Sequence, residues 1–228
     1  MKYRDFKRLL EMSRQDLYRE TIAENRKTIR VKKQETVVKN LEKIFDATLK
    51  ISNKKGFQAM SMRDLSRETG LSMGALYSYF SSKEELLEML QRHGRTASRR
   101  ILEQRIALKG EAAARLRTAL RTHLYLSEAM QPWFYFSYME AKNLTGAERQ
   151  RAVDSELYSE KIFAEILRQG QEDGIFRPTD YRLVASVIKA MLQDWYLKRA
   201  KYAKRNVSVD GYADFLLEWV ESFVLSAP

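Results

Sequence analysis

The sequence predicts an all-α fold, with a three-helix N-terminal domain that contains a helix-turn-helix and a larger helical C-terminal domain. Apolar residues recur at three- and four-residue spacing through most of the chain, which is the period of amphipathic helices. Ser or Asp stands where several such stripes begin, and Gly where they end, as at helix caps. No strand-period segment of convincing length is present. We therefore expect a basic, partly helical extension over residues 1–34, the first domain over 35–92 and the second over 93–228.

The N-terminal extension combines helical spacing with positive charge. Its apolar residues recur at roughly helical intervals, at Phe6, Leu9, Leu10, Leu17 and Ile22. Five basic residues then precede the next helix: Arg26, Lys27, Arg30, Lys32 and Lys33. A basic arm for DNA, a helix packed on the rest of the protein and a membrane-surface helix are all compatible with this pattern. We favour packing for residues 6–22 and an arm for residues 26–33.

The first domain helix should run over about 35–55, with one apolar stripe ended by Gly56. Two short helices follow, Met62–Thr69 and Ser72–Tyr79. Gly70 permits the sharp turn between them because glycine adopts positive φ at little cost. Their N-caps are predicted to be Ser61 and Ser72. The next helix opens at Lys83, with Ser82 as its cap and Glu85 positioned to complete a capping box.

The second short helix is small and hydroxyl-rich over most of its length. The bulky aliphatic and phenyl side chains that can close the angle between the two helices are Leu65, Leu71, Leu76 and Phe80. The rest of the second helix carries Ser72, Gly74, Ala75, Tyr77, Ser78 and Tyr79. Such a surface suits close approach to a DNA groove better than it suits burial. We therefore interpret the pair as a helix-turn-helix.

Longer helices are predicted after residue 95. The first should cover residues 112–130, and a second should begin at Pro132. Three more are expected around 157–167, over 181–202 and over 209–225. Asp180 is a plausible cap for the penultimate helix. The restarted segment holds the most aromatic stretch of the protein, WFYFSYMEAKNL.

Composition narrows the class of protein. The chain has 228 residues, 44% of them hydrophobic, which is enough for a buried core. It contains no cysteine, so a disulfide framework and a thiolate metal site are excluded, and a reducing compartment fits. No signal-peptide pattern and no window of 18 uncharged apolar residues is present. We expect a soluble cytoplasmic protein without a membrane partner.

Positive charge is concentrated in the N-terminal part of the chain. The formal net charge is +11, and residues 1–95 hold 21 Lys or Arg against 13 Asp or Glu. A polyanion partner is the natural interpretation, since neutralising phosphates gives affinity. A merely solubilising basic surface is the alternative.

The motif region resembles a known family. The run GFQAMSMRDLSRETGLSMGALYSYFSSKEELL is similar, element by element and in spacing, to the DNA-binding signature of the tetracycline-repressor (TetR) family of bacterial regulators. Met73 stands where many members carry Lys, and Ala75 where many carry Thr. The resemblance implies a repressor that binds a palindromic double-stranded DNA operator as a homodimer under the control of a small hydrophobic effector.

The resemblance also implies which residues contact DNA. Arg63 would reach a base edge or a phosphate, and Met73, Gly74 and Ala75 would form the tip of the recognition helix. The remaining candidates are Ser61, Ser72, Tyr77, Ser78, Tyr79 and Lys83, which would mainly grip phosphates. For Tyr77, the alternative to a DNA contact is partial burial in the domain core.

Two surplus apolar surfaces lie in the C-terminal half. The last two helices carry stripes wider than one core contact requires, and the family pairs such helices in a dimeric four-helix bundle. The proposed interface residues are Val184, Ile188, Met191, Trp195, Phe215, Trp219 and Phe223. Burial within one subunit is the alternative.

The second surface is aromatic and methionine-rich, and by composition alone such a stripe is more often core than a ligand pocket. The family resemblance favours an effector pocket formed by Tyr125, Met130, Trp133, Phe134, Phe136, Tyr138, Met139, Glu140, Tyr158, Ile162, Phe163, Ile166 and Gln193. The segment MLQDWYLKRAKYA is similar to that of fatty-acid-degradation regulators in the family. An acyl-coenzyme A is therefore one candidate effector, with Lys198, Arg199, Lys201 and Lys204 near its phosphates. A lipophilic drug or aromatic compound fits the same residues.

No pattern of residues supports catalysis, and we expect neither a cofactor nor a metal. His93 and His123 are the only histidines, and we interpret each as a solvated or core-edge side chain. Phosphate-binding loops, nucleophile elbows and paired acidic motifs are missing. The alternative to a regulator is a helical protein-interaction protein, or one that binds nucleic acid without sequence preference and without an effector.

Overall fold

The computed structural model describes residues 1–31, 33–107, 110–144 and 146–225. Lys32, one of the five basic residues named above, and Leu108, the last residue of a further helical stretch predicted over 101–108, lie outside the described residues. The described chain forms eleven α-helices: α1 Tyr3–Glu24, α2 Gln34–Lys55, α3 Met62–Thr69, α4 Met73–Leu76, α5 Lys83–Ala107, α6 Ala112–Ala129, α7 Gln131–Glu140, α8 Gly146–Glu172, α9 Tyr181–Leu197, α10 Arg199–Lys204 and α11 Val209–Val224. A 3₁₀ turn spans Ala141–Asn143, and an isolated antiparallel bridge joins Phe176 to Leu225. The predicted all-α class is confirmed.

The chain packs into two compact units. The N-terminal unit comprises residues 8–97 and 132–149, and the C-terminal unit comprises residues 1–7, 98–131 and 150 onward. The sequence placed 132–149 in the second domain, whereas this segment packs in the N-terminal unit. The reason is its contact with Phe57, whose ring meets Phe136 edge-on at 6.0 Å and whose N–H donates to Glu140 Oε1 at 3.0 Å.

Helix α1 contributes to buried packing, as predicted for residues 6–22. In the N-terminal unit, the ring of Tyr18 stacks on His93 with centroids 4.5 Å apart and lies 6.0 Å from Phe45. Thr21 Oγ1 lies 2.8 Å from His93 Nδ1. His93 is thus a half-buried side chain at the core edge, one of the two positions predicted for it, and burial lowers its pKa to about 4. In the C-terminal unit, Phe6 is buried against Tyr125.

The helix-turn-helix forms largely as its caps dictate. Ser61 accepts from the Asp64 N–H while the Asp64 carboxylate accepts from the Ser61 N–H, which completes a capping box on α3. Gly70 ends α3 at φ +69°, in the left-handed region. Ser72 caps α4 by accepting from the Ala75 N–H at 3.1 Å. The second helix is shorter than predicted, because a turn replaces it after Leu76.

Helices α6, α9 and α11 begin at the predicted residues, whereas α8 begins before the stretch predicted around 157–167. Two further differences concern α9 and α5. The segment predicted as one helix over 181–202 breaks at Lys198 into α9 and α10. Asp180 caps α9 as expected by accepting from two backbone N–H groups. Ser82 caps α5, but the Glu85 carboxylate accepts from Ser81 instead of closing a box with Ser82.

Candidate nucleic-acid interface and effector region

The tip of α4 is an open surface in which Met73 is followed by the small residues Gly74 and Ala75. Gly74 is exposed, and a methyl group added at its Cα would meet no atom within 4 Å. Its φ does not lie in the positive region that favours glycine. Glycine in a helix costs roughly 0.5–1 kcal/mol relative to alanine. Among the described residues, no steric contact requires glycine at this position.

Arg63 is exposed in the first turn of α3, and it makes no ion pair or hydrogen bond through its side chain within the described chain. Its neighbour Asp64 instead binds Lys55 and Arg67, both at 2.7 Å. The hydrogen bond from Lys55, followed by those from Ser61, holds the pKa of Asp64 well below its usual range. Asp64 therefore stays ionised and holds two cations while Arg63 remains available for a ligand.

Tyr77 and Tyr79 have opposite environments, and the prediction for Tyr79 is wrong. The Tyr77 side chain is 45% exposed, whereas Tyr79 is 1% exposed. The Tyr79 hydroxyl accepts a hydrogen bond from Asn40 Nδ2 at 2.8 Å. A buried phenol that is bonded to α2 does not reach a phosphate. Tyr77, for which partial burial was the alternative, is the exposed phenol of the pair.

Two predicted serine contacts also require correction. A phosphate oxygen only accepts hydrogen bonds, so a serine must donate to it. The Ser78 hydroxyl already donates to the Ala75 carbonyl at 2.6 Å, and the Ser61 hydroxyl donates to Asp64 at 2.7 Å. Both serines therefore support the local backbone. Ser72 accepts in its cap and keeps its hydroxyl hydrogen for a ligand.

Lys83 is partly committed within the N-terminal unit. Its ammonium donates to the Gln58 carbonyl at 2.9 Å and lies 4.8 Å from the centre of the Phe57 ring. Desolvation by these neighbours lowers the pKa of Lys83. An ammonium has three donor hydrogens, so Lys83 retains capacity for a phosphate.

The segment after α1 places basic residues beside the helix-turn-helix. The Arg30 N–H donates to the Ser78 carbonyl at 2.9 Å, and Thr28 Oγ1 donates to Glu85 at 2.6 Å. Ile29 is buried between these two anchors. Four exposed cations flank them and make no ion pair within the described residues: Arg26, Lys27, Arg30 and Lys33. These cations adjoin the end of the stretch Ser72–Tyr79, which we call the recognition segment.

Helices α9 and α11 expose a wide apolar face in the C-terminal unit. Its large exposed side chains are Leu183, Val187, Phe215, Trp219 and Phe223. Phe215 is 63% exposed, and the rings of Trp219 and Phe223 lie parallel with centroids 6.4 Å apart. Val184 and Met191 are half-buried beside them. We call this set the α9–α11 face.

Two predicted interface residues belong to the core. Ile188 is fully buried, and so is Trp195, whose indole N–H donates to Glu128 at 2.9 Å. The sequence missed Leu183 and Val187, which are exposed in their place. The stripe on α9 wraps around most of the helix, so spacing alone does not tell which apolar residues face inward.

The predicted effector residues are divided between the two units. The α7 residues lie in the N-terminal unit: Trp133, Phe134, Phe136, Tyr138, Met139 and Glu140. Trp133 packs against Gly94 and Phe136 against Phe57. The prediction for Glu140 is wrong, because its buried carboxylate is a fixed acceptor for the Phe57 backbone. Tyr138 and Met139 are exposed.

The other effector residues lie in the C-terminal unit: Tyr125, Met130, Tyr158, Ile162, Phe163, Ile166 and Gln193. Tyr125 is buried with its hydroxyl bonded to Asp210 at 2.5 Å. The Tyr158 hydroxyl bonds to Glu103, and Gln193 bonds to Glu156. Phe163 and Ile166 are fully buried. Their environment is apolar core, with polar groups satisfied at its edges.

A buried polar cluster on α6, α8 and α9 escaped the sequence analysis. Lys189 Nζ donates to Ser159 Oγ at 2.6 Å and lies 3.0 Å from His123 Nε2. His123 is buried rather than solvated or at the core edge. The available signal was a lysine within the inward stripe of α9, between Ala185 and Leu192. We call these three residues the Lys189 cluster.

The basic residues suggested for a coenzyme A head are mostly neutralised. Lys198 and Lys201 both bind Asp194, and Arg199 binds Glu128 through two nitrogens. Although desolvation opposes it, hydrogen bonds from Lys198, Lys201 and Tyr202 hold the pKa of the half-buried Asp194 carboxyl well below its usual range. Lys204 is exposed and makes no ion pair with described residues.

Two family models match the chain. One, described as bacterial regulatory proteins of the tetR family, matches residues 44–90, which contain the helix-turn-helix. The other, described as a tetracyclin repressor-like C-terminal domain, matches residues 109–220. The chain therefore belongs to the tetR family of bacterial regulatory proteins. It is a DNA-binding transcriptional regulator and not an enzyme.

Individual relatives agree with this assignment. HbdR, an HTH-type transcriptional regulator of Aromatoleum sp. strain CIB, is 22% identical over 181 residues, or 79% of each chain. The repressor KstR of Mycobacterium tuberculosis H37Rv is 27% identical over 173 residues, covering 70% of this chain and 72% of KstR. The crystal structure of AibR with isovaleryl coenzyme A and operator DNA has a TM-score of 0.69 at 20% identity, over 81% of this chain and 97% of AibR. This last likeness shows the fold.

The described residues contain neither a helix fit to span a membrane nor a group of side chains fit to hold a metal. Among residues 1–31, 33–107, 110–144 and 146–225, none of the helices combines the length and apolar character needed to span a bilayer. The same residues contain no group of three or more His, Cys, Asp or Glu side chains arranged to hold a metal ion.

Proposed function

We propose that this regulator represses transcription by binding a palindromic operator as a homodimer, and that a small hydrophobic effector controls the binding. The observation that carries the proposal is the open tip of α4, where Gly74 has no internal reason to be glycine. A small, exposed helix tip that follows α3, where Arg63 makes no ion pair with the described residues, suits the major groove of double-stranded DNA.

The DNA contacts divide into base readout and phosphate grip. Arg63 and the tip from Met73 to Ala75 select the sequence, since a guanidinium pairs with guanine and a methionine contacts a thymine methyl. Ser72, Tyr77 and Lys83 grip phosphates. The exposed cations from Arg26 to Lys33 extend this grip, because the Arg30 backbone is anchored on Ser78 at the end of the recognition segment.

The homodimer is supported by the α9–α11 face. Large apolar patches on a protein surface mark contact with another protein. A two-fold dimer presents two helix-turn-helix units, and therefore requires two half-sites in the DNA.

The effector is proposed to bind in the C-terminal unit beside Phe163 and Ile166. Apolar pockets with a few polar groups are the usual sites for small molecules. AibR was crystallised with isovaleryl coenzyme A, so an acyl thioester is one candidate. The pairing of Lys198, Arg199 and Lys201 with carboxylates argues against those residues as the phosphate site.

Binding to the DNA upstream of the regulator's own gene tests the DNA contacts. Fluorescence anisotropy should give tighter binding to this DNA than to a shuffled sequence. Arg63→Ala should reduce that preference by about 1–3 kcal/mol. Arg26→Ala with Lys27→Ala should weaken both DNAs alike and lower the salt slope by about 0.9 per lost phosphate contact.

Lys161→Ala in α8 removes an exposed cation from the other unit and serves as the control. Equal affinity of the wild type for both DNAs would favour the alternative, a helical protein that binds nucleic acid without sequence preference.

Release of the upstream DNA by a panel of acyl-coenzyme A thioesters and hydrophobic dyes tests the effector. Complete lack of response would refute effector control.

A further inference from the structure

The Lys189 cluster places a cation inside the C-terminal unit without an anionic partner. Lys189 is 7% exposed, and its two hydrogen-bond partners, Ser159 and His123, are neutral groups. It forms no ion pair within the part of the chain that the structure describes. Burial lowers the pKa of Lys189 to about 8, so the ammonium remains mostly charged at neutral pH.

The bonds within the cluster fix the role of each atom. An ammonium only donates, so His123 Nε2 must accept from it, and the imidazole proton lies on Nδ1. Burial, followed by the charge of Lys189, holds the pKa of His123 well below its ordinary value, which keeps the imidazole neutral. Ser159 accepts from Lys189 and donates to the Glu156 carbonyl at 3.0 Å.

One donor of Lys189 is left over. The ammonium carries three hydrogens, and the described residues supply two acceptors. A buried donor without an acceptor costs free energy, and a buried charge without a counter-ion costs more. A methionine would fill similar volume without this cost. Among the described residues the third hydrogen has no acceptor, so it is available to one that a bound molecule supplies.

The surroundings define what that acceptor is attached to. On α8, Phe163 lies one turn from Ser159, and its ring centre is 6.2 Å from that of His123. On α9, Ile188 and Leu192 are buried next to Lys189. Glu156 and Glu160 act on the ammonium from a distance, and they are engaged by Gln193 and Ser186 respectively. The site thus offers one strong donor within an apolar environment.

We propose that Lys189, positioned by His123 and Ser159, binds the acyl oxygen of an apolar effector, either the carboxylate of a free acid or the carbonyl of an acyl thioester. This inference rests on the proposed effector control and identifies its polar anchor. His123 and Ser159 are positioning residues, since they act through Lys189.

Lys189→Met tests the anchor by removing the donor while keeping the apolar volume. Binding is measured by calorimetry for three probes of equal chain length: decanoate, decanoyl-coenzyme A and decanol, which lacks an acyl oxygen. The variant should lose roughly 10-fold or more in affinity for the acyl probe that the wild type binds, as expected for a hydrogen bond to a charged group. Its affinity for decanol, and for operator DNA without effector, should be unchanged.

Lys161→Met in α8 is the matched control, because it removes an exposed lysine at no cost to the cluster. Ser159→Ala provides a second variant that weakens the positioning of Lys189 and should give a smaller loss in the same direction. Which of decanoate and decanoyl-coenzyme A binds to the wild type distinguishes the two sources of the acyl oxygen.

The outcomes separate the anchor from effector control itself. Equal affinity of wild type and Lys189→Met for the acyl probes would overturn the anchor. Binding of decanol or of a hydrophobic dye, with DNA release but no binding of either acyl probe, would overturn the anchor and leave effector control standing. If no probe or dye binds and none releases DNA, both proposals fail.

Discussion

The tip of α4 and the α9–α11 face are both exposed, yet their chemistry is opposite. The tip carries no large apolar side chain that is exposed, apart from the ring of Tyr77, and Gly74 leaves its surface open. The α9–α11 face presents Phe215, Trp219 and Phe223 to solvent. A helix built for a polar, closely approaching groove keeps its side chains short, whereas a helix built for another protein surface keeps them large.

Each surface is unfavourable for an isolated subunit in its own way. A glycine in a helix lowers the stability of the fold because it increases the backbone entropy of the unfolded chain. Exposed aromatic rings lower it because they forgo the free energy of hydrophobic burial. The comparison therefore predicts that enlarging side chains at the tip impairs binding, and that adding charge to the α9–α11 face impairs assembly. The following changes test these two statements, beginning with the largest expected effect.

Phe215→Glu should break the homodimer. Placing a carboxylate at the centre of an apolar interface costs about 2–4 kcal/mol per subunit, and a two-fold interface contains each residue twice. Light scattering at micromolar concentration should then give the mass of a monomer, and affinity for a palindrome should fall far more than affinity for a half-site.

Leu157→Glu is the control for Phe215→Glu, since Leu157 is a large exposed apolar residue on α8 that does not belong to the α9–α11 face. It should leave the dimer intact. A wild-type protein that is monomeric and still binds the palindrome tightly would contradict the assignment of the face.

Tyr77→Phe and Tyr79→Phe form a matched pair at the recognition segment. Removing the Tyr79 hydroxyl breaks its bond with Asn40 and should lower the free energy of unfolding by about 1 kcal/mol, while DNA affinity in the folded protein is kept. Removing the Tyr77 hydroxyl should weaken DNA binding and leave the free energy of unfolding unchanged. Urea unfolding and DNA anisotropy measure the two effects, and an exchange of the two results would place the wrong tyrosine at the DNA.

Gly74→Ala has the smallest expected effect on stability and the most specific meaning. Alanine should stabilise the domain by roughly 0.5–1 kcal/mol, because it restricts the unfolded chain and favours the helix. The added methyl group should nevertheless weaken operator binding, since it stands where the DNA approaches. Thermal unfolding and anisotropy on the same sample check this; stabilisation with unaltered DNA affinity would show that the tip does not touch DNA closely.

The sequence located the helices and the turn more reliably than it assigned their faces. Helix α3 begins and ends where Ser61 and Gly70 predicted, because a cap is decided by a side chain and a backbone group a few residues apart. The same local rules did not separate Tyr77 from Tyr79. The burial of Tyr79 places its hydroxyl against Asn40, which lies 39 residues earlier in the chain, whereas Tyr77 is exposed.

The packing of segment 132–149 and the Lys189 cluster were not predicted from the sequence, for a related reason. The aromatic richness of α7 indicated a buried surface but not its partner, and that partner proved to be Phe57. A single lysine in the stripe of α9 is a weak signal by itself. It became informative only when Ser159 and His123 were found beside it.

The sequence by itself determined the all-α class, the helix-turn-helix, its caps and the excess of apolar surface at the C-terminal end. These properties follow from periodicity and from contacts within a few residues. Only the tertiary structure decided that Ile188 and Trp195 are core while Leu183 and Val187 are exposed, and that Lys189 is a buried cation. The physical reason is that the burial of a residue depends on which distant segments pack against it. A wide apolar stripe can contact two partners, and its spacing does not predict which residues each partner covers.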